Sequence, residues 1–260
     1  MNLKSVKSPE HFKWGKDCDG WNLHKEDSLS VIKERMPYKT SEEMHYHEKA
    51  KQVFYIIKGN AEFDTDGIIQ NVCSGESISI RPESLHRITN NNPEDLEFLV
   101  ISSPSTAGDR IEIINYSDEY RDDIYRLNAE WLLKYFRIEL TDEVQLSNPR
   151  EEIIEKGGMI FFSRCNGEIT GTVSLMKESE NSFELGKMAV TEKAQGHFTG
   201  NALIKHCLNV ARKMKIMKLF LYSNTKLDAA IHLYRKYGFS EVKSDKGNYE
   251  RANIRMEKIL

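Results

Sequence analysis

Apolar residues change their period once along this chain, and that change constrains the fold more than any other feature. From residue 28 to 102 they alternate with period two in short runs, SLSVIKE, KQVFYIIKG, AEFDTDG, ESISIRP, HRITNNN and LEFLVIS, punctuated by turn residues. Such alternation sends one face of each run into a core and the other to solvent, the pattern of an all-β sandwich or barrel. After SSPSTAGDR, residues 102–110, the period becomes helical. SDEYRDDIYRLNAEWLLKYF spaces Tyr120, Ile124, Leu127, Trp131, Leu132 and Tyr135 along one helix, behind Ser117 as the expected N-cap and Asp118 and Glu119. MIFFSRC and EITGTVSL flank Asn166 and Gly167, a strong two-residue hairpin signal. A strand FELGKMAV follows, then an amphipathic helix carrying Leu203, Cys207, Leu208, Val210, Ala211 and Met214. A strand KLFLYS, a helix LDAAIHLYRKY closed by Gly238 and a final strand NIRMEKIL complete an α/β order. Two domains are therefore expected, 1–106 all-β and 107–260 α/β, joined through the Pro/Ser/Gly-bearing stretch.

Either domain is large enough to bury a core. With 39% hydrophobic and 30% charged residues, the chain is a globular protein in which disorder does not dominate. Residues 1–109 have a formal balance of −5 and residues 110–260 one of +2. Neither half is basic enough for nucleic-acid binding to be a main task, while the second tolerates a small anionic cofactor. The start, MNLKSVKSPEHFKW, lacks the apolar run of a signal peptide, and no stretch approaches the roughly 18 apolar residues of a membrane span. A cytoplasmic protein is expected. Cys18, Cys73, Cys165 and Cys207 form no CxxC pair and read as free, mostly packed thiols.

HYHEKAKQVFYIIKG, residues 45–59, sets two histidines one residue apart, so a strand sends both rings to one face. A third, His86, follows the turn at Pro82 in GESISIRPESLHRITN. If these strands face across one small barrel, the three rings meet inside it, as metal ligands or as the lining of a metal-free polar pocket. The two stretches resemble the cupin superfamily, whose motifs read HxH, three or four residues, Glu, six residues, Gly, and later Gly, a Pro-bearing turn, His, three residues, Asn. Here His45, His47, Gln52 and Gly59, then Gly75, Pro82, His86 and Asn90 take those places. The resemblance, over about residues 28–102, implies a double-stranded β-helix (jelly-roll) barrel and a divalent metal held by His45, His47 and His86. Gln52, where the family usually has glutamate, would be a weaker fourth ligand. Its amide removes one negative charge, yet three imidazoles still suit zinc, iron, nickel, copper or manganese.

QGHFTGNALIKHCLNVAR opens a helix behind the strand FELGKMAV, and such a loop offers unpaired N–H groups to a pyrophosphate. With its surroundings it resembles the Gcn5-related N-acetyltransferase (GNAT) superfamily over about residues 111–260, a fold with a mixed sheet. The family loop reads Arg or Gln, two residues, Gly, one residue, Gly or Ala, and Gln195, Gly196, His197, Phe198, Thr199 and Gly200 fill it. Phe198 stands where the first glycine is usual; were that position left-handed, phenylalanine would cost about 1 kcal/mol or more. LYSNTKLDAAIHLYRKYGF matches the later motif through Asn224, Ala230, Tyr234, Gly238 and Phe239.

The resemblance implies acetyl-CoA as cofactor. Met188, Ala189 and Val190 would offer backbone groups to the pantetheine arm, the segment from Gln195 to Asn201 would wrap the pyrophosphate, and Asn224 would touch the arm near the thioester. Tyr234 would protonate the departing thiolate, and Glu184 would serve as base, its alternative being a salt-bridged strand carboxylate. His197 and His232 read as surface histidines. The loop FRIELTDEVQLSNPREEIIEKGG should meet the acceptor; Glu139, Asp142 and Glu143 there either attract a cationic amine or form a solvated acidic loop.

The leading expectation is an acetyl-CoA-dependent N-acetyltransferase acting on a small-molecule amine by direct transfer, with a metal-binding cupin domain that senses or modifies a small molecule. Its alternatives are a metal-dependent cupin isomerase or oxygenase with a weakened transferase domain, and a non-enzymatic two-domain ligand sensor. No nucleic acid or membrane partner is expected. A bare barrel edge strand would invite a homodimer through the first domain.

Overall fold

The computed structural model describes residues 7, 10–243 and 249–260. The chain divides into two compact units, Met1–Glu112 and Ile113–Leu260.

The first unit is built from β1 (His11–Trp14), β2 (Cys18–Glu26), β3 (Leu29–Met36), β4 (Thr40–Ser41), β5 (Met44–His47), β6 (Lys51–Lys58), β7 (Asn60–Thr65), β8 (Ile68–Cys73), β9 (Ser77–Ile80), β10 (His86–Asn90) and β11 (Leu96–Ser103). One antiparallel sheet runs β1-β2-β3-β11-β6-β9, and a second contains β5-β10-β7-β8 with β4 beside β10. Met36, Phe54, Ile56, Ile80, Leu96, Phe98 and Val100 of the first sheet share a core with Ala61, Phe63, Val72 and Ile88 of the second. This is a jelly-roll arrangement, and its alternation is visible along β11, where every second residue is buried. The run at residues 11–26 also forms strands, β1 and β2, which period two did not announce because only Cys18, Asp19 and Gly20 in it are buried.

The strand β12 (Arg110–Asn115) leads into the second unit. There α1 (Arg121–Tyr135), α2 (Leu140–Ser147), β13 (Met159–Cys165), β14 (Glu168–Ser179), β15 (Ser182–Val190), α3 (Thr199–Lys213), β16 (Lys218–Ser223), α4 (Asp228–Lys236), β17 (Ser240–Val242) and β18 (Ile254–Ile259) follow. The strand order is β17-β18-β16-β15-β14-β13, a mixed sheet in which β15 and β16 run parallel and the other pairs antiparallel. Asn166 and Gly167 join β13 to β14 with φ of 49° and 84°, the left-handed pair that a tight hairpin requires.

Ser117 does not cap α1: it precedes a 3₁₀ turn at Asp118–Tyr120 and makes no side-chain cap hydrogen bond. Ile124, Leu127 and Leu132 of α1 are buried, whereas Tyr135 is exposed. In α3 the apolar face buries Leu203, Cys207, Leu208 and Ala211, while Met214 lies past its end and is half exposed. The acidic stretch after α1, read above as a loop, forms α2 and a π turn at Arg150–Ile154. Glu139 and Asp142 close a reciprocal cap at the start of α2, and Leu146 and Ile153 enter the core. None of the four cysteines is in a disulfide; Cys18 and Cys207 are buried and Cys73 is exposed. No described helix is long and apolar enough to cross a membrane.

Candidate functional sites

In the first unit, strand parity and register assemble the histidines. His45 and His47 share a face of β5, and His86, the first residue of β10, stands directly opposite His45. All three are buried, and one ligand atom from each lies within 4.8 Å of the others. His45 Nδ1 donates to the Glu43 carbonyl and His86 Nδ1 to the Ser84 carbonyl, both at 2.9 Å. A carbonyl only accepts, so these bonds fix the tautomer and leave Nε2 of both rings as a lone pair. Gln52, on β6, is buried too; its Oε1 lies 2.9 Å from His86 Nε2 and its Nε2 donates to Ser102 Oγ at 3.3 Å.

Two acceptors thus face each other across 2.9 Å. Either a cation sits between them, or the amide is turned so that its NH₂ donates to His86 while Ser102 donates to its oxygen. At 2.9 Å the two groups are close enough to share either a proton or a cation. Burial, reinforced by Arg110, keeps the imidazoles neutral: His45 titrates well below its ordinary value, His47 falls to about 3 and His86 to about 4. Neutral rings are what a divalent cation needs. The buried Nδ1 of His47 has no hydrogen-bond partner. Three converging neutral imidazoles, with the Gln52 amide beside them, fit a divalent metal.

In the second unit the site begins where two strands part. β15 pairs with parallel β16 only from Ser182 to Glu184, so Gly186 to Val190 run on without that partner. On its other edge β15 carries a β-bulge: Thr172 opposes Ala189 and Ser174 opposes Gly186, leaving Lys187 and Met188 against Val173 alone. Lys187 takes φ 48°, and its carbonyl accepts from Asn128 Nδ2 of α1 at 3.3 Å. Its Nζ donates to Asp142 Oδ1 at 2.9 Å and to Tyr249 Oη at 3.2 Å. Arg251 grips both oxygens of Asp142, at 2.5 and 3.0 Å, and stacks between Trp131 and Tyr249. Burial opposes the Asp142 charge, but Lys187 and Arg251 outweigh it and hold the carboxyl below its ordinary value. Lys187 is itself lowered by burial, against the pull of Asp142.

Glu184 stands at the parting point. Burial pushes its carboxyl up to about 7, with Lys187 opposing and Glu178 adding to the rise. Glu139 and Asp142 are engaged with Arg251, and Glu143 accepts from Tyr125 and Ser147. Glu139 and Asp142 are thus neutralised by Arg251, whereas Glu143 stays exposed with two hydroxyl partners.

The candidate coenzyme loop leads from β15 to α3. Gln195 Nε2 donates to the Val190 carbonyl at 3.0 Å, and Gly196 takes φ 80°. Phe198 has φ −53°, an ordinary value, so the left-handed residue of the loop is Gly196 and phenylalanine is unstrained where it stands. Lys205 and Lys236 lie 5.5 and 5.8 Å from its ring centroid. His197 and His232 are exposed, and Thr199 is buried.

A Cβ on Gly200 would come within 3.2 Å of Leu233 Cδ2 and 3.5 Å of Met188 Cε, so this glycine lets the start of α3, the end of β15 and α4 meet. Asn201 accepts from Lys236 Nζ at 2.6 Å and Tyr237 Oη at 3.3 Å, tying α3 to α4. On α4, Tyr234 is 7% exposed, and burial lifts its phenol to about 12. Ala189 is buried beside the bulge. The Asn224 carboxamide donates to the Arg251 carbonyl at 2.6 Å and accepts from Lys226 N at 2.8 Å, so it organises the loop before α4.

The sequence reading missed Thr172 and Ser174, which share a face of β14, are 0% exposed and have no hydrogen-bond partner for their hydroxyls. It also missed Lys187 and Arg251. Glycine inside FELGKMAV was the available signal for the bulge.

Residues 33–102 match the family model of the cupin domain, and residues 156–241 match that of the acetyltransferase (GNAT) domain. An acetyltransferase of the GNAT family from Staphylococcus aureus Mu50 is 22% identical, with 58% of this chain and 99% of that one covered at a TM-score of 0.54. An acetyltransferase from Streptococcus agalactiae 2603 is 17% identical, with 58% and 98% covered at 0.52. These two likenesses show the fold of the second unit. An RmlC-like cupin from Shewanella frigidimarina NCIMB 400 is 20% identical, with 40% and 92% covered at 0.37. No curated protein matches the sequence.

Proposed function

We propose that this chain, an N-terminal cupin domain followed by a C-terminal GNAT acetyltransferase domain, transfers the acetyl group of acetyl-CoA to a small-molecule amine. The observation that carries this reading is the parting of β15 and β16 beyond Glu184, beside a bulge held by α1 and α2. Past that point an extended pantetheine arm would pair with the main chain of Met188, Ala189 and Val190 as a strand would. The loop from Gln195 to Thr199, with Gly200 and Asn201, presents the N-terminus of α3 to the pyrophosphate. Asn224 orders the loop before α4 through its bonds to Arg251 and Lys226, and would touch the coenzyme arm near the thioester.

An ammonium acceptor must lose a proton before its nitrogen can attack. Glu184, with a carboxyl at about 7, takes that proton near neutral pH. The N–C bond then forms at the thioester carbonyl as the C–S bond breaks. Tyr234 gives its proton to the departing sulfur and regains one from the nitrogen; with its phenol at about 12 against a thiol near ~8.5, it is protonated when needed.

In the cupin domain His45, His47, His86 and Gln52 would hold a divalent metal. When bound, that ion supplies Lewis acidity toward an oxygen ligand. The residues themselves orient the site: Glu43 and Ser84 carbonyls set two imidazole tautomers, and Ser102 holds Gln52. The domain senses or modifies a small molecule there.

Calorimetric titration of the full-length chain with acetyl-CoA tests the transferase reading. One saturable site per chain is expected; folded protein giving neither heat nor a melting shift overturns it.

A further inference from the structure

Gln52 leaves the ligand set of the cupin domain without a charge, since three imidazoles and an amide are all neutral. A divalent ion buried among them needs a compensating anion close by, because uncompensated charge in a low-dielectric interior is costly. Two carboxylates lie behind the triad, each with an oxygen 4.0 Å from a histidine Nδ1: Glu42 behind His45 and Asp109 behind His47.

They are not equivalent. Glu42 is paired with Arg110, 3.3 Å from its Oε1, and the His45 Nδ1 it faces already donates to Glu43. Among the described residues Asp109 accepts from the peptide N–H groups of Glu48, Lys49 and Ala50 at 2.9 to 3.2 Å, and none of these donors carries a cationic charge on the bonding atom. The His47 Nδ1 beside it is the buried ring nitrogen without a hydrogen-bond partner. The same residue therefore pins the turn that follows the two strand histidines with its carboxylate and stands behind His47, whose ring also feels the Asp109 backbone.

We propose that Asp109 is a positioning residue of the metal centre, supplying from behind His47 the negative charge that Gln52 lacks. This rests on the reading of His45, His47, His86 and Gln52 as a metal site. Binding of a cation at the inner face of His47 makes its Nδ1–H more positive, and Asp109 is the acceptor placed to meet it. The residue lies in the stretch that sequence reading assigns to a linker, three residues before the end of the first unit.

The test is zinc affinity of the metal-stripped full-length chain, measured by competition with a chromophoric chelator. Wild type should bind one tight equivalent that His86→Leu removes. Asp109→Asn keeps one of the two accepting oxygens for the turn but loses the charge, and should weaken zinc by about 10–100-fold. Gln52→Glu should tighten zinc in the wild type and restore most of the loss in Asp109→Asn. A purely structural role for Asp109 predicts no such rescue, because a carboxylate at 52 cannot hold the turn at residues 48–50. Unchanged affinity in Asp109→Asn, or a loss that Gln52→Glu fails to recover, overturns the inference while leaving the metal site standing. If Asp109→Asn does not fold, a Gln52→Glu chain that binds zinc no tighter than wild type overturns it. Absence of any tight site in folded wild type overturns the metal reading and this inference together.

Discussion

His45 and His86 occupy directly opposed positions on neighbouring antiparallel strands, with ring centroids 4.2 Å apart. Two neutral imidazoles this close, both with Nδ1 committed to a main-chain carbonyl, form a donor pair whose lone pairs cannot satisfy one another. Zinc added to metal-stripped protein should raise the melting temperature, and at 100 times its dissociation constant it adds about 2.7 kcal/mol. His86→Leu should abolish that shift. Differential scanning calorimetry with and without a chelator reads both outcomes.

Glu184 carries the pH dependence of the transfer. Its carboxyl titrates at about 7 and acts only when deprotonated, so kcat/KM should rise with pH and level off above that value. Glu184→Gln should lower the rate about 10²–10⁴-fold and remove that limb. A pH–rate profile of the variant that keeps the wild-type limb would move the base elsewhere.

The same residue should weaken the fold where it works. Its folded value of about 7 lies above its ordinary 4.5, so the folded state holds a proton that the unfolded chain releases. The stability this provides is complete below pH 4.5 and is lost as pH rises through 7. Denaturant melts of wild type and Glu184→Gln should therefore diverge across that window, with the variant losing less. Parallel curves would show that Glu184 is well solvated.

The cluster at the bulge predicts an order of damage. Asp142→Ala strands Lys187 and Arg251 together, and removing one partner of a buried pair costs about 3–5 kcal/mol. Lys187→Met should cost less, because Asp142 keeps Arg251, and it should move the Glu184 limb to higher pH by removing a nearby positive charge. Urea melts of the two variants, with a pH–rate profile for the second, check both statements.

Much of this was legible because it depends on short-range periodicity. Parity on one strand brings His45 and His47 to a common face, and the resemblance to the cupin motif, through Gly75, Pro82 and His86, points to the third ring. What escaped depends on partners far apart in the chain. The α2 helix shows a weak apolar stripe, with Leu140 80% and Val144 41% exposed, and its cap is locked by Arg251, over a hundred residues later. Asp109 sits among Pro, Ser and Gly and reads as linker until the fold places it against residues 48–50. Phe198 would be strained only in a left-handed position, and a family pattern does not reveal that angle; the left-handed residue is Gly196.

The most direct measurement is release of free CoA thiol from acetyl-CoA by the full-length chain across a panel of small amines. The account predicts acceptor-dependent release, with an acetylated product of matching mass, falling about 10²–10⁴-fold in Tyr234→Phe while acetyl-CoA still binds. Saturable acetyl-CoA binding with no acceptor-dependent thiol release from any amine, or equal release from Tyr234→Phe, would contradict it.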